Sequence, residues 1–248
     1  MSRLEELILR LAAKKGLQVA DEDSESSDGS TPRSEGAGKS SGGCVTTACS
    51  KSLYRSRQYW EDRYADGVVG HSEAKGVLSN EWYFTYQALS SQLSSHIDKD
   101  DRVLLLGCGL STLGVDMEAE GYSSIVAIDY SETCIQRMND SRGPSSSVQY
   151  MVMDVTCLDF EKGSIDCVLD KATLDSLMNE DEPSGVVCAM LREACRVLRP
   201  GGKYVCISHS DRRKLLTDRG LSWALTAEVP LAKKQAEFWM YVLTKRGA

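Results

Sequence analysis

The chain has 248 residues, 42% hydrophobic and 26% charged, which is enough apolar material for a sizeable core in one larger domain with an extension. No run approaches the ~18 apolar residues of a membrane-spanning helix, so no membrane partner is expected. The formal net charge of −7 speaks against a basic nucleic-acid-binding face and suits a basic partner, so no direct nucleic-acid contact is expected.

In chain order, residues 3–15 (RLEELILRLAAKK) predict a short amphipathic helix. Leu4, Leu7, Ile8 and Leu11 recur at helical spacing, and Gly16 is a stop signal. Glu5, Glu6 and the acidic run at 21–28 argue against a transit peptide, a segment type poor in acids. From Asp21 to Ser50 the chain is Ser, Gly and acid without apolar period, which predicts disorder, because little burial offsets the entropy of ordering. The expected division is therefore a helix-and-tail segment over 1–52 and one folded domain over 53–248.

Within that domain strands alternate with helices. Strands are predicted at 102–107, 123–129, 148–154, 164–170 and 203–208. Helices are predicted near 131–139 and over 182–198, the latter ended by Arg199-Pro200-Gly201-Gly202. Two late strands, 223–229 and 238–244, have no long helix between them and predict an antiparallel pair. The fold class is α/β: a Rossmann-like, seven-stranded, mostly parallel sheet with helices on both faces and an antiparallel C-terminal strand pair. The nine cysteines are scattered through mostly apolar segments and read as small hydrophobes of a reduced, cytoplasmic protein. Cys44 and Cys49 lack a second ligand pair, and Cys206 and His209 are isolated, so no metal site is expected.

In an open α/β sheet, ligands bind beyond the carboxyl ends of the strands. The first strand runs into Gly107-Cys108-Gly109, with Ser111 at a helix start, and the second ends in Asp129. Glycines there permit a tight turn and close ligand approach, and the carboxylate suits the two hydroxyls of a ribose. The third strand ends in Asp154 and the fourth in Asp170. Two ligand classes fit. A dinucleotide fold wants G-x-G-x-x-G, but the third position here is Thr112 and glycine returns only at Gly114. S-adenosylmethionine (SAM), a sulfonium nucleoside without phosphate, needs no such cradle. The acid at 154 suits an adenine amino group, and the antiparallel end of the sheet also favours SAM.

The segments VLLLGCG, IVAIDYSE, MDVTCLDF, SIDCVLDKATLD and RVLRPGGKYVCIS resemble, in this order, the motifs of class I seven-strand SAM-dependent methyltransferases. Residues 59–64 (YWEDRY), 81–83 (EWY) and 170–175 (DKATLD) resemble more narrowly the protein lysine methyltransferases that act on translation elongation factor 1-alpha. The resemblance covers about residues 54–245. Ala172 departs from it, standing where the group usually has glycine. The lobe around 209–235 is short and poorly matched, and substrate choice is expected to depend on it.

The resemblance implies that Trp60, Tyr64 and Trp82 close over the methionine end of SAM, with Gly107 and Gly109 beneath it. It implies that Asp129 binds the ribose beside Tyr130, that Asp154 and Val155 hold the adenine edge, and that Lys171 lines the pocket. Aromatic faces attract a cationic sulfur by ~0.5–2 kcal/mol. Asp170 is the candidate catalytic residue, orienting the incoming amine or taking its proton. An amine acceptor must be neutral to attack, and with a reference pKa of ~10.4 a lysine seldom is at neutral pH.

Each of these residues has a structural alternative. Trp60 and Tyr64, four apart on one helix face, are compatible with plain core packing. Asp129 is a candidate cap for a helix at Ser131, and Asp170 and Asp175 for one near Thr173. Lys171 suits a solvated surface, Trp223 and Trp239 suit sheet core, and His71, His96 and His209 show no partner pattern and read as surface residues. Three functions compete: a protein lysine methyltransferase acting, as a monomer, on a basic protein such as elongation factor 1-alpha; a small-molecule methyltransferase; and a non-catalytic SAM-fold binding module.

Overall fold

The structure is a computed structural model that describes residues 54, 56–65, 81–178, 185–218, 220–233 and 236–247. The expected helix over 3–15, the Ser/Gly tail and His71 lie outside the described residues.

Among the described residues, two helices, α1 (Arg57–Ala65) and α2 (Tyr86–Ser94), precede the sheet. The parallel part follows as β1 (Arg102–Leu106), α3 (Leu113–Ala119), β2 (Ser124–Asp129), α4 (Glu132–Ser141), β3 (Gln149–Val152), β4 (Ile165–Lys171), α5 (Thr173–Leu177) and α6 (Gly185–Val197). The chain closes with β5 (Leu198–Ser208), α7 (Arg213–Leu216), β6 (Trp223–Lys233) and β7 (Ala236–Lys245). The strand order is β3-β2-β1-β4-β5-β7-β6. Strands β1 to β5 pair in parallel, and β7 pairs antiparallel with both β5 and β6. The expected fold class is the one observed.

Successive strand residues point to opposite faces. Val103 and Leu105 join one core with Leu89 and Leu93 of α2 and Met117 of α3, while Leu104 and Leu106 join another with Met190 and Leu191 of α6. Both faces are covered, which is why these strands read as unbroken apolar runs rather than alternating ones. Trp223 is buried and stacks on Tyr204 at 5.0 Å, as sheet core should.

Two boundaries differ from expectation. The third strand is shorter, ending at Val152. The fifth starts earlier, at Leu198, so Arg199-Pro200-Gly201-Gly202 lies within strand rather than before it. Leu198 pairs with Ile165 and Lys203 with Cys167, so four residues bulge out of the register. Gly201 sits at φ +77, and a side chain on Gly202 would meet Asp166 O at 2.8 Å, so glycines make this bulge possible.

After β1 the chain winds outward through β2 and β3, then crosses back to β4 on the other side of β1. That reversal opens a crevice beyond the carboxyl ends of β1 and β4, the position at which this architecture binds ligands.

Candidate active site

The crevice encloses about 290 Å³ and is lined by the glycine turn after β1, the ends of β2 and β4, and aromatic rings from the N-terminal segments. Its floor is the turn at Gly107 and Gly109, whose φ angles of +54° and +51° belong to the left-handed region. A Cβ at Gly107 would fall on the Thr173 hydroxyl and 2.8 Å from its Cγ2; one at Gly109 would lie 3.1 Å from Tyr64 Oη. The turn therefore admits only glycine, because Thr173 occupies the side-chain direction at 107 and Tyr64 crowds that at 109. Thr173 Oγ1 donates to Leu106 O at 2.8 Å and joins α5 to the end of β1.

Asp129 closes β2 beneath this turn. Its Oδ2 accepts from Gly109 N and its Oδ1 from Ser131 N, both at 3.0 Å. Each oxygen keeps one acceptor site for a hydroxyl. Burial pushes its pKa up to about 6, against the opposing backbone hydrogen bonds. The cap of α4 is not Asp129 but Ser131, whose Oγ accepts from Cys134 N at 3.1 Å. Tyr130 and Val155 line the crevice half-buried. Asp154 also lines it, exposed, with its Oδ1 taking both the N–H and the hydroxyl of Thr156 at 2.8 and 2.7 Å.

The open side is walled by rings. On α1, Trp60 and Tyr64 are one turn apart and stack at 5.6 Å, and Trp82 lies 5.8 Å from Trp60. Both residues of α1 are buried in the core and also line the crevice, so the structural and functional alternatives coincide. Glu61 fastens this helix to α4 by accepting from Ser131 Oγ, Glu132 N and Thr133 N at 2.8, 3.0 and 3.2 Å.

Lys171 is not a solvated surface lysine: its side chain is 5% exposed and its Nζ lies 2.8 Å from Glu81 Oε2. The same ammonium donates to Trp82 O at 2.9 Å. Glu81 in turn accepts from Thr112 N at 2.6 Å and from the Ser111 hydroxyl at 2.9 Å. Glu81 thus clamps the segment bearing Trp82 to both β4 and the start of α3. Although it opens the Glu81-Trp82-Tyr83 motif, no role was expected for it. Its partners lie far along the chain, and the only local signal is an acid beside an aromatic.

Ala172, which departs from the resemblance, has φ +78 and is buried at the crevice wall. A left-handed backbone explains why glycine is usual there.

Asp170 is not placed where an amine could reach it. It is fully buried and does not line the crevice. Its carboxylate accepts from Thr173 N, Leu174 N and the Tyr204 hydroxyl at 2.9, 3.2 and 2.7 Å. Burial pushes its pKa up to about 7. Adjacent strand residues face opposite ways, so Lys171 takes the crevice side and Asp170 the far side, where it caps α5. Nor is His209 an isolated surface residue: its Nδ1 lies 2.8 Å from Asp175 Oδ2.

Cys108, Asp129 and Cys134 bring their ligand atoms within 4.8 Å of one another. The hydrogen bond with Cys108, and then burial, push the Cys134 thiol up, so this corner is packed by a protonated thiol.

A sheet of this order, with a glycine turn after β1 and an acid ending β2, defines the Rossmann-like fold of class I SAM-dependent methyltransferases. Residues 104–206 match the family model of a methyltransferase domain. More narrowly, it is similar to the eEF1A lysine and N-terminal methyltransferase of Mus musculus, 38% identical over 160 residues that cover 62% of this chain and 22% of that protein. The EEF1A lysine methyltransferase 4 of Mus musculus is 32% identical over 163 residues, covering 62% of this chain and 61% of that protein. The chain therefore spans less than two thirds of the length of these relatives. Among solved structures, the magnesium protoporphyrin IX methyltransferase of Synechocystis PCC 6803 with bound SAM superimposes with a TM-score of 0.57 at 15% identity, over 79% of this chain and 96% of that one. A Burkholderia thailandensis 1,6-didemethyltoxoflavin-N1-methyltransferase with bound S-adenosylhomocysteine gives 0.57 at 16% identity, over 83% and 93%. At such identities the structural likeness speaks for the fold.

Proposed function

We propose that this chain is a SAM-dependent protein-lysine N-methyltransferase whose acceptor is a basic protein of the translation elongation factor 1-alpha type. The observation that carries the cofactor assignment is the left-handed glycine turn at Gly107 and Gly109 on the crevice floor, backed by a carboxylate with acceptor capacity to spare. The acceptor assignment is supported by the relatives named as eEF1A lysine methyltransferases and by the net charge of −7, which favours encounter with a basic partner. A cytoplasmic location and action as a monomer complete the proposal. No helix among the described residues is long and apolar enough to cross a membrane.

When bound, SAM supplies a methyl group already activated on a positively charged sulfur. The protein's task is alignment and exclusion of water. Asp129 would accept from the ribose hydroxyls and Asp154 from the adenine amino group, with Tyr130 and Val155 flanking the base. Trp60, Tyr64 and Trp82 would shield the sulfonium end, and Lys171 would hold Trp82 in place directly at its carbonyl and through Glu81. The same aromatic surroundings desolvate an incoming ammonium and favour its neutral form.

Tritiated SAM incubated with the chain and a cell extract, then with purified elongation factor, tests this. Label in a protein band at the mobility of the factor, recovered as methyl-lysine, is expected. Label only in small molecules, or none, refutes the proposal.

A further inference from the structure

Asp175 of α5 is an ionic hub that the cofactor crevice does not use. Its side chain is 2% exposed. It accepts from Tyr83 Oη at 2.9 Å, Ser208 Oγ at 2.7 Å, His209 N at 3.1 Å and Arg212 Nε at 3.0 Å. Burial works against its ionisation, yet the hydrogen bond and charge of His209, the charge of Arg212 and the Ser208 hydroxyl bring its pKa to about 2. A permanent carboxylate therefore faces His209 Nδ1, at 2.8 Å. The Tyr83 hydroxyl lies 2.9 Å from the same nitrogen but donates its one proton to Asp175, so in the neutral ring the proton sits on Nδ1 and the lone pair is on Nε2. That nitrogen has no hydrogen-bond partner among the described residues, and the side chain is 31% exposed.

The position is informative. His209 directly follows β5, whose Ile207 pairs with Lys171, so it stands at the carboxyl edge of the sheet beside the crevice wall. A line of rings connects the two: Trp82 to Tyr83 at 6.2 Å, then Tyr83 to His209 at 5.8 Å. Tyr83 is held at φ +65 inside a tight turn closed by Phe84 N donating to Trp82 O at 2.8 Å. Such γ-turns are rare and strained, and backbone strain of this kind persists where the surroundings enforce it. Here the turn aims Trp82 into the crevice and Tyr83 at the Asp175–His209 pair.

We propose that His209 is the catalytic proton acceptor for the substrate amine, held by Asp175 and tied to the aromatic wall by Tyr83. This deepens the lysine-methyltransferase reading and rests on it. A proton passes from the substrate ammonium to Nε2, and the N–H electron pair remains on nitrogen as the lone pair that attacks. Asp175 stabilises the resulting imidazolium through Nδ1–H, and the imidazolium returns its proton to solvent after product leaves. Among the described residues, the charged and titratable groups around the ring are Asp175 from α5, Tyr83 from the segment before α2 and Arg212 from the loop after β5; β7 contributes Phe238, packed on Tyr83 at 5.0 Å.

The test uses the full chain with its protein acceptor. His209→Gln should leave SAM affinity by titration calorimetry within about twofold, because His209 does not line the cofactor crevice. It should lower kcat at neutral pH by roughly 10²-fold, the usual scale of a general base. The deficit should shrink as pH rises toward the range where the amine loses its proton unaided, and added imidazole should restore part of the rate to His209→Ala. Independently of activity, ¹⁵N–¹H correlation of the free protein should find the neutral His209 ring protonated on Nδ1. A ring protonated on Nε2, a rate within twofold of wild type, or a deficit constant at all pH overturns the proposal. Failure of the underlying reading looks different: the wild-type chain itself then labels no protein at any pH while the tautomer stands, which removes the acceptor and overturns this role with it.

Discussion

Replacing Gly107 with alanine places a methyl group where Thr173 already is. The new Cβ would lie 2.8 Å from Thr173 Cγ2 and closer still to its hydroxyl. Thr173 cannot turn away freely, because its Oγ1 donates to Leu106 O at 2.8 Å and its N–H binds Asp170 at 2.9 Å. Three costs accumulate. A left-handed backbone at φ +54 costs a residue with a side chain about 1–2 kcal/mol. Overpacking adds about 1–3 kcal/mol. Loss of the Thr173 hydrogen bond adds roughly 0.5–1.5 kcal/mol. A destabilisation of about 3–6 kcal/mol is expected, which at 2–4 °C per kcal/mol lowers Tm by roughly 6–24 °C. Gly109→Ala shares the backbone cost but meets only the far end of the Tyr64 ring at 3.1 Å, so it should lose less stability. Urea unfolding of both variants, with SAM titrated against each, checks the reasoning. A Gly107→Ala protein within about 1 kcal/mol of wild type, or one more stable than Gly109→Ala, would refute it.

Ala172 has φ +78, so Ala172→Gly should gain about 0.5–1.5 kcal/mol, read as a higher urea midpoint; a lower midpoint contradicts the strain. Lys171→Met leaves the Glu81 carboxylate, 13% exposed, without its cation and should cost about 3–5 kcal/mol and weaken SAM binding. Adding Glu81→Gln should recover part of that stability, and strict additivity of the two changes would disprove the coupling. Asp129, raised to about 6, should make SAM affinity climb as pH rises through 6 and level off above 7, with Asp129→Asn flattening the curve in calorimetry. The stability sign is opposite. The native state holds this proton more tightly than the unfolded chain, so its contribution is complete below about pH 4 and lost as pH rises through about 6.

Much of the fold was legible because buried parallel strands write themselves as local apolar runs. VLLL, IVAI and CVL announce their strands, and the short connection before the last strand announces its antiparallel pairing. The glycine turn and Asp129 were legible for the same reason: a strand end, a turn and the next strand end lie within about twenty residues, and their chemistry follows from backbone freedom and charge. The RPGG stretch misled, because those residues end a helix as readily as they bulge a strand. Only the pairing of Leu198 with Ile165 distinguishes the two.

Sequence by itself determined the architecture, the carboxylate that ends β2 and the aromatic pair on α1, since all depend on local spacings. Tertiary structure decided the rest of the site. Asp170 and Lys171 are neighbours on one strand and must face opposite ways, but which of them meets the crevice depends on how β4 sits between β1 and β5. The Lys171–Glu81 clamp joins residues 90 apart, and the Tyr83–His209 contact joins residues 126 apart. No local period carries such information: it exists only once the strand order brings the carboxyl edges of β4 and β5 together beneath the N-terminal rings.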